Sequence, residues 1–235
     1  MKKEELSKYE IVYSDSIEFM GFTLYRIRAL KDFSNVNSGD LGGYICDYEN
    51  LSQYGDAWVS GDARVYGDAR VYGDARVSGN AWVYGDARVY GNAWVSGNAR
   101  VSGNARVSGN ARVYGNAWVS GNARVYGDAR VSGNAWVYGD AKVYGDAWVS
   151  GDAWVSGDAK VYGQISIITI LDIGRERGCL TMHLDSKIGV RVTRGCFTGT
   201  IEEFLSAVEK THGDNMYGKI YRTAIEMAKI QFEID

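Results

Sequence analysis

Apolar and polar positions alternate along nearly half of the chain in one six-residue repeat, which runs without interruption over residues 55–162. Each repeat, here called a hexad, reads Gly, Asp or Asn, Ala, then Trp, Arg or Lys, then Val, and finally Ser or Tyr. Alanine and valine are two positions apart, so both point to the same side of an extended strand. A helix repeats every 3.6 residues and would not keep these positions on one face. Each hexad therefore predicts one short strand, and its Gly-Asp or Gly-Asn pair predicts a corner.

The consecutive hexads predict a solenoid, because a single hexad cannot bury its alanine and valine alone. A coil of three strands would enclose a narrow core of alanine and valine, with glycine at the corners and Asp or Asn stacked along each edge. The chain contains no proline, which agrees with a ladder in which the backbone N–H groups are needed as donors. The predicted fold class is mainly β, with a hexapeptide solenoid at its centre.

The segments on either side of the hexads predict caps, because open solenoid ends expose strand edges that pair with other chains. The β-like composition of residues 10–30 predicts a small entry sheet, and Ile45 and Leu51 fall in the alanine position of degenerate first hexads. After the array, Ile165 falls in the alanine position and Ile167 in the valine position. The predicted division is an N-terminal β cap, residues 1–42, a β-helix, residues 43–173, and a C-terminal α+β cap, residues 174–235.

A change of period predicts the structure of the C-terminal cap. Two alternating apolar runs within residues 180–192 predict two strands. Thr200 and Glu203 then form a capping box before an apolar face with helical spacing, and Gly213 ends that helix. A second helix is predicted to begin at about Met216.

Composition and charge add few constraints. No signal peptide or membrane span is visible, so a cytoplasmic protein is expected. The three cysteines, Cys46, Cys179 and Cys196, have no metal-binding spacing and are expected to be reduced, half-buried thiols. The sequence predicts no metal site and no cofactor, and the net charge of -3 decides little about partners.

The Val-x-Gly-Asp/Asn-Ala-x repeat resembles the hexapeptide repeat of left-handed parallel β-helix proteins, best known from acyltransferases. The flanking sequences LYRIRALKDF and GCFTGTIEEFLSAVEKTHGDN are similar to those of bacteriophage and prophage hexapeptide-repeat proteins of the transferase-like kind. The resemblance implies a left-handed parallel β-helix with three-sided coils, a homotrimer, and a location in the cytoplasm of an infected or lysogenic bacterial host.

The acyltransferases that the repeat resembles use a histidine as general base near the coils. The chain has no histidine before His183, and the only other one is His212. His183 alternates with apolar residues and is expected to project from the outer face of a strand. His212, with Thr211, Asp214 and Asn215, forms either a polar site or an ordinary helix end. Two histidines cannot supply the three-histidine zinc site of the relatives that hydrate carbon dioxide.

With three strands per coil, every third hexad lies on the same face, at a spacing of about 4.8 Å. The variable position between Ala and Val then sorts into three columns. The seven tryptophans all fall on the first and second faces, where they predict an interface with another chain. They are Trp58, Trp94 and Trp148 on the first face and Trp82, Trp118, Trp136 and Trp154 on the second.

The third face, here called the basic face, has only cations in this position and mostly tyrosine after the valine. Its basic column is Arg70, Arg88, Arg106, Arg124, Lys142 and Lys160. The neighbouring column is Tyr72, Tyr90, Ser108, Tyr126, Tyr144 and Tyr162. Aligned cations with stacked rings are suited to phosphates and bases. The alternative is that corner acids such as Asp68 and Asp86 neutralise the column and the rings only stabilise the sheet.

These patterns predict a non-catalytic, oligomeric binding scaffold of phage type. Its expected partner is a host protein or a nucleotide-like anion, in the context of bacterial defence. The alternatives are an acyltransferase relative that uses acyl-CoA, and a passive structural or virion component.

Overall fold

The computed structural model describes residues 8–163, 167–185 and 187–234. Within these ranges the chain is mainly β, as predicted. A parallel β-solenoid of about seven coils is followed by a small antiparallel sheet and two helices. Ile165, which was assigned to an alanine position, lies outside the described residues.

Eighteen short strands, β4 to β21, form the three faces of the solenoid, six on each face. The first face contains β4 Trp58–Val59, β7 Arg76–Val77, β10 Trp94–Val95, β13 Arg112–Val113, β16 Arg130–Val131 and β19 Trp148–Val149. The second contains β5 Arg64–Val65, β8 Trp82–Val83, β11 Arg100–Val101, β14 Trp118–Val119, β17 Trp136–Val137 and β20 Trp154–Val155. The third contains β6 Arg70–Val71, β9 Arg88–Val89, β12 Arg106–Val107, β15 Arg124–Val125, β18 Lys142–Tyr144 and β21 Lys160–Tyr162.

Each of these strands pairs in parallel with the strand of the same face in the next coil. Arg106, for example, lies between Arg88 and Arg124, and Val107 lies between two further valines. Partners are three hexads apart, which confirms the three-sided coil. The alanines and valines of the array are at most 1% exposed and form one continuous core.

The corners show why glycine and asparagine recur. Gly103 has φ 62°, and a Cβ there would lie 3.1 Å from backbone atoms of Gly121 in the next coil. Beside it, the Asn104 amide donates to the Asn122 side chain at 3.2 Å. An amide both donates and accepts, so asparagines continue such a ladder, whereas an aspartate can only accept. The longest ladder runs through Asn80, Asn98, Asn116, Asn134 and Asp152.

The N-terminal cap is a hairpin that extends the second face. β1 Tyr9–Phe19 pairs antiparallel with β2 Phe22–Ala29, and β2 pairs antiparallel with β3 Leu41–Ile45. β3 then pairs in parallel with β5, which makes a nine-stranded sheet. The predicted entry sheet is therefore present, and it is continuous with the solenoid.

The assignment of Ile45 and Leu51 to the alanine position was wrong. Ile45 pairs with Val65 and Leu51 with Val71, so both residues occupy the valine position. Each partner is twenty residues away instead of eighteen, because two extra residues precede the first regular hexad. In this insertion the Gln53 side chain accepts hydrogen bonds from the backbone of Lys8 and Tyr9 and donates one back to Tyr9.

Two buried polar side chains complete the N-terminal end of the solenoid. Lys8 Nζ donates to the carbonyl oxygens of Ala57 at 2.8 Å and Gly55 at 3.3 Å. Asn50 Nδ2 donates to those of Gly67 at 2.8 Å and Ala69 at 2.9 Å. Burial lowers the pKa of Lys8 to about 8. No regular hexad precedes the first coil, so no backbone N–H of a preceding hexad donates to these carbonyl groups. The Lys8 and Asn50 side chains supply the donors instead.

The C-terminal cap is an antiparallel sheet packed on two helices. The strands are β22 Ile167–Ile173, β23 Gly178–Asp185, β24 Gly189–Arg194 and β25 Phe197–Gly199, and the helices are α1 Ile201–His212 and α2 Met216–Phe232. The capping box of Thr200 and Glu203 and the helix end at Gly213 are confirmed. Ile167 does not occupy a valine position of a further coil, because it pairs antiparallel with residue 183 in β23.

The two faces of β23 have different partners. Leu180 and Met182 belong to the apolar core shared with the helices. On the other face, Thr181 Oγ1 accepts a hydrogen bond from Trp154 N at 3.3 Å, and Asp185 bridges to Ala159. This face of β23 therefore covers the last coil of the solenoid.

The close approach at the corners predicts unequal costs for two glycine substitutions. Gly21→Ala introduces a side chain at φ 81° with no atom within 4 Å, and should cost about 1 kcal/mol for the left-handed backbone alone. Gly103→Ala adds contacts with the Gly121 backbone and should cost about 1–3 kcal/mol more. Urea unfolding followed by circular dichroism measures the difference. Equal losses in the two variants would contradict the proposed steric role of the corner.

Candidate functional site

The basic face is assembled as the hexad spacing predicts. The register places the six basic residues, Arg70 to Lys160, in one column. Beside them, the Tyr72 and Tyr90 rings stack with centroids 4.9 Å apart and an interplanar angle of 1°. Tyr126 and Tyr144 stack at 5.1 Å and 6°, and Tyr162 continues that stack in a tilted orientation at 5.0 Å.

In the described ranges, an ion pair with a carboxylate is found at the N-terminal end of the basic column. Arg70 pairs with Glu49 at 3.2 Å, an exposed ion pair that the sequence did not suggest. Among the described residues, Arg88, Arg106 and Arg124 have no ion-pair partner. The corners that precede and follow the Arg106 strand both carry asparagine. The positive charge is therefore least compensated at the middle of the face.

A shallow surface hollow of about 370 Å³ lies at the N-terminal end of the basic face. Its lining is Glu49, Ser52, Arg70, Val71, Tyr72 and Arg88. Glu49 places a carboxylate in this hollow, so the hollow is less suited to an anion than the centre of the column.

The N-terminal cap covers two of the seven tryptophans. Trp58 is 5% exposed and packs against the rings of Tyr9 and Phe33. Trp82 is half-buried against Phe19, with centroids 4.8 Å apart. The remaining tryptophans with large exposed areas are Trp94, Trp136, Trp148 and Trp154. Any contact of the tryptophan faces with another chain must therefore use the coils beyond the N-terminal cap.

Several indoles also interact with side chains of the neighbouring coil. Trp118 Nε1 donates to Ser102 Oγ at 3.0 Å, and Trp148 Nε1 donates to Ser132 Oγ at 3.3 Å. The Arg100 guanidinium lies 4.4 Å from the Trp82 ring centroid. Each of these contacts joins neighbouring coils, so the rings stabilise the stack as well as forming its surface.

The polar residues of the THGDN segment belong to the junction between the two helices. Asn215 caps α2 by accepting hydrogen bonds from the N–H groups of Tyr217 and Gly218. Asp214 pairs with Arg222 at 3.1 Å. His212 is half-buried in the last turn of α1, its ring 5.7 Å from that of Tyr221, and Thr211 is exposed. The polar groups of Asp214 and Asn215 are thus engaged in holding the helix ends.

His183 does not project from an outer face, as the alternation in the sequence had suggested. It is fully buried between β23 and the end of the solenoid, and its Nε2 has no hydrogen-bond partner. Burial lowers its pKa to about 4. A histidine in this state is neutral at pH 7 and inaccessible to a substrate.

The cysteines are all free thiols, and the structure places Cys196 at the surface, whereas half-burial had been expected. Burial raises the pKa of the Cys46 and Cys179 thiols. Within the described ranges, no group of three or more His, Cys, Asp or Glu residues is placed to hold a metal ion. None of the helices in those ranges is long and apolar enough to cross a membrane.

Comparison with protein families gives a match inside the array. Four stretches match the YdcK beta solenoid repeat, at residues 69–85, 81–97, 105–121 and 123–139. The array is a β-solenoid repeat. The match agrees with the stacked parallel faces of the structure, and the two caps lie outside it. A comparison with curated proteins finds no match.

The burial of His183 predicts a loss of stability in acid. The unfolded chain binds a proton at this histidine near pH 6.5, whereas the folded chain does so only near pH 4. The free energy of unfolding should therefore fall as the pH drops below about 6.5, by about 2 kcal/mol between pH 7 and pH 5. Asp185 and Arg191, the charged groups next to His183, pair with each other at 2.9 Å.

Urea unfolding at pH 7 and pH 5 measures this dependence. His183→Asn should lose most of the difference between the two pH values, and the control His212→Asn should keep it. The explanation would be wrong if the His183→Asn protein and the wild type were equally sensitive to acid.

The uncompensated arginines predict a variant that is more stable than the wild type. Arg106→Gln removes repulsion with Arg88 and Arg124 and should raise the free energy of unfolding by about 0.5 kcal/mol at low salt. The gain should shrink at high ionic strength. Arg70→Gln, which also removes the ion pair with Glu49, should give no gain. Thermal unfolding at two salt concentrations measures both variants, and destabilisation by Arg106→Gln at low salt would contradict the expected repulsion.

Proposed function

We propose that the protein is a non-catalytic binding scaffold and that its basic face recognises an anionic ligand. The observation that carries this proposal is the central part of the basic column. There, Arg88, Arg106 and Arg124 are exposed, adjacent and without a carboxylate partner among the described residues. The three guanidinium groups repel one another in the free protein, and an anion that binds between them relieves this repulsion.

The backbone favours binding by keeping these cations in fixed register. Each arginine belongs to a strand that is hydrogen-bonded to both neighbours, for example through Arg106 N to Ala123 O at 2.9 Å. A rigid row of guanidinium groups loses less entropy on binding than the same groups on a loop. The regular spacing of about 4.8 Å suits a ligand with several anionic groups along the solenoid axis.

Two further parts of this proposal concern the assembly and the origin of the protein. The exposed tryptophans on the first and second faces, Trp94, Trp148, Trp136 and Trp154, are suited to a homo-oligomer, of which a trimer is the form implied by the resemblance. A phage origin, a bacterial cytoplasmic location and a role in counter-defence follow only from the resemblance of the flanking segments. Acyl transfer is less well supported, because His183 is buried and His212 packs at a helix end.

Titration with inorganic polyphosphate tests the proposal. The triple variant Arg88→Gln, Arg106→Gln, Arg124→Gln should bind at least tenfold more weakly than the wild type. The matched control is Arg76→Gln, Arg112→Gln, Arg130→Gln on the first face, which removes the same charge and should lose less than threefold.

Equal losses in the two triple variants would show non-specific attraction to the whole solenoid and would overturn the proposal. Absence of polyphosphate binding to the wild type would favour a passive structural component. A host protein that binds equally well to the wild type and the basic-face variant would also argue against this face as the recognition surface.

A further inference from the structure

The tyrosine column of the basic face lacks one ring. Tyr72 and Tyr90 stack on the N-terminal side of the gap, and Tyr126 and Tyr144 stack on the other side. Ser108 occupies the position between the two pairs and is half-buried. The gap therefore separates two outward-facing ring stacks that follow the same repeat.

The size of the gap is limited by the spacing of the stacked rings. Neighbouring centroids are 4.9 Å apart on one side and 5.1 Å on the other, so two steps span at most about 10 Å. Stacked aromatic planes cannot come closer than about 3.5 Å, so two steps span at least about 7 Å. One inserted ring needs about 7 Å between its neighbours, and two would need more than 10 Å. A gap of about 7 to 10 Å between the Tyr90 and Tyr126 rings therefore has room for one planar ring and not for two.

Two other serines in the same position of the hexad are covered by an indole of the protein itself. Ser102 lies under the Trp118 indole and Ser132 under that of Trp148, and both serines are buried. Each tryptophan comes sixteen residues after its serine. The residue sixteen positions after Ser108 is Arg124, which cannot supply an indole.

No aromatic ring and no cation–π contact among the described residues takes the place of the missing ring. Among the described residues, the only ring that contacts Tyr90 is Tyr72, and the only ring that contacts Tyr126 is Tyr144. None of the cation–π contacts within the described ranges involves these four tyrosines. Within the described ranges, the inner ring faces of Tyr90 and Tyr126 thus make no ring contact and no cation–π contact.

The gap coincides with the least compensated charge on the molecule's basic face. Arg106 lies on the same strand segment as Ser108, with Arg88 and Arg124 on the flanking strands. The adjacent corners are Asn104 and Asn110, both uncharged. An aromatic group in the gap would have guanidinium groups beside it and no carboxylate at the nearest corners.

We propose that the gap at Ser108 binds one planar aromatic ring that carries an anionic group, with the chemistry of a nucleoside monophosphate. The ring stacks between Tyr90 and Tyr126, and the phosphate is bound by Arg106 with Arg88 or Arg124. This inference rests on the proposed function, because it names the ligand class for the same basic face.

Calorimetric titration with three small molecules tests the ligand chemistry. Adenosine 5′-monophosphate should bind the wild type at least tenfold more tightly than ribose 5-phosphate, which lacks the ring, or adenosine, which lacks the phosphate. Equal affinity for the monophosphate and for ribose 5-phosphate would overturn the inference. The proposed function would then still stand if polyphosphate bound the basic face.

Ser108→Tyr tests the gap itself, because it completes the tyrosine column. The variant should unfold at or above the wild-type temperature, bind polyphosphate as the wild type does, and bind the monophosphate at least tenfold more weakly. The matched control Ser96→Tyr makes the same change at the same hexad position of the first face and should retain monophosphate binding. Retention of wild-type affinity by folded Ser108→Tyr would overturn the inference.

If Ser108→Tyr does not fold, the variant Arg106→Gln tests the proposed phosphate contact independently. Arg106→Gln should weaken monophosphate binding at least tenfold without changing the weak binding of adenosine. An unchanged affinity for the monophosphate in this variant would contradict the proposed role of the arginines.

Discussion

One set of the backbone hydrogen bonds between successive coils runs in a single direction. The N–H of one coil donates to a carbonyl of the next, as from Arg106 N to Ala123 O. The first coil is therefore left with unpaired carbonyl groups and the last with unpaired N–H groups. The caps match this polarity: Lys8 and Asn50 supply donors at the N-terminal end, and Thr181 supplies an acceptor at the other. The buried Lys8 thus pairs with carbonyl groups that the open end of the solenoid would leave without a donor.

The same ladder places each side chain against its own counterpart in the next coil. Where the counterpart is an amide or a ring, the contact is favourable, as between Asn104 and Asn122 or between Tyr72 and Tyr90. Where the counterpart is another arginine, the contact is repulsive. The central basic face combines arginines that lack a carboxylate partner with a tyrosine stack that is interrupted at Ser108. The proposed ligand would supply both the missing negative charge and the missing ring.

The C-terminal cap shows how the end of the solenoid changes the properties of buried groups. β23 covers the last coil with one face and the helical core with the other, so His183 has no access to water. Its unpaired nitrogen and its low pKa are consequences of that position. The THGDN segment holds the junction of α1 and α2.

The sequence by itself determined the strands, the corners and the six-residue period, because the period of two within a strand and the hexad repeat are local and regular. The three faces and the membership of each column followed once the resemblance supplied three strands per coil. The sequence also determined the capped start of α1 at Thr200. Only the tertiary structure decided the register of Ile45 and Leu51, the burial of Lys8 and His183, and the covering of Trp58 and Trp82. It also decided which serines lie under an indole and which, like Ser108, do not. These features depend on insertions and on side chains that meet over long sequence separations, and counting along a regular repeat carries no information about such contacts.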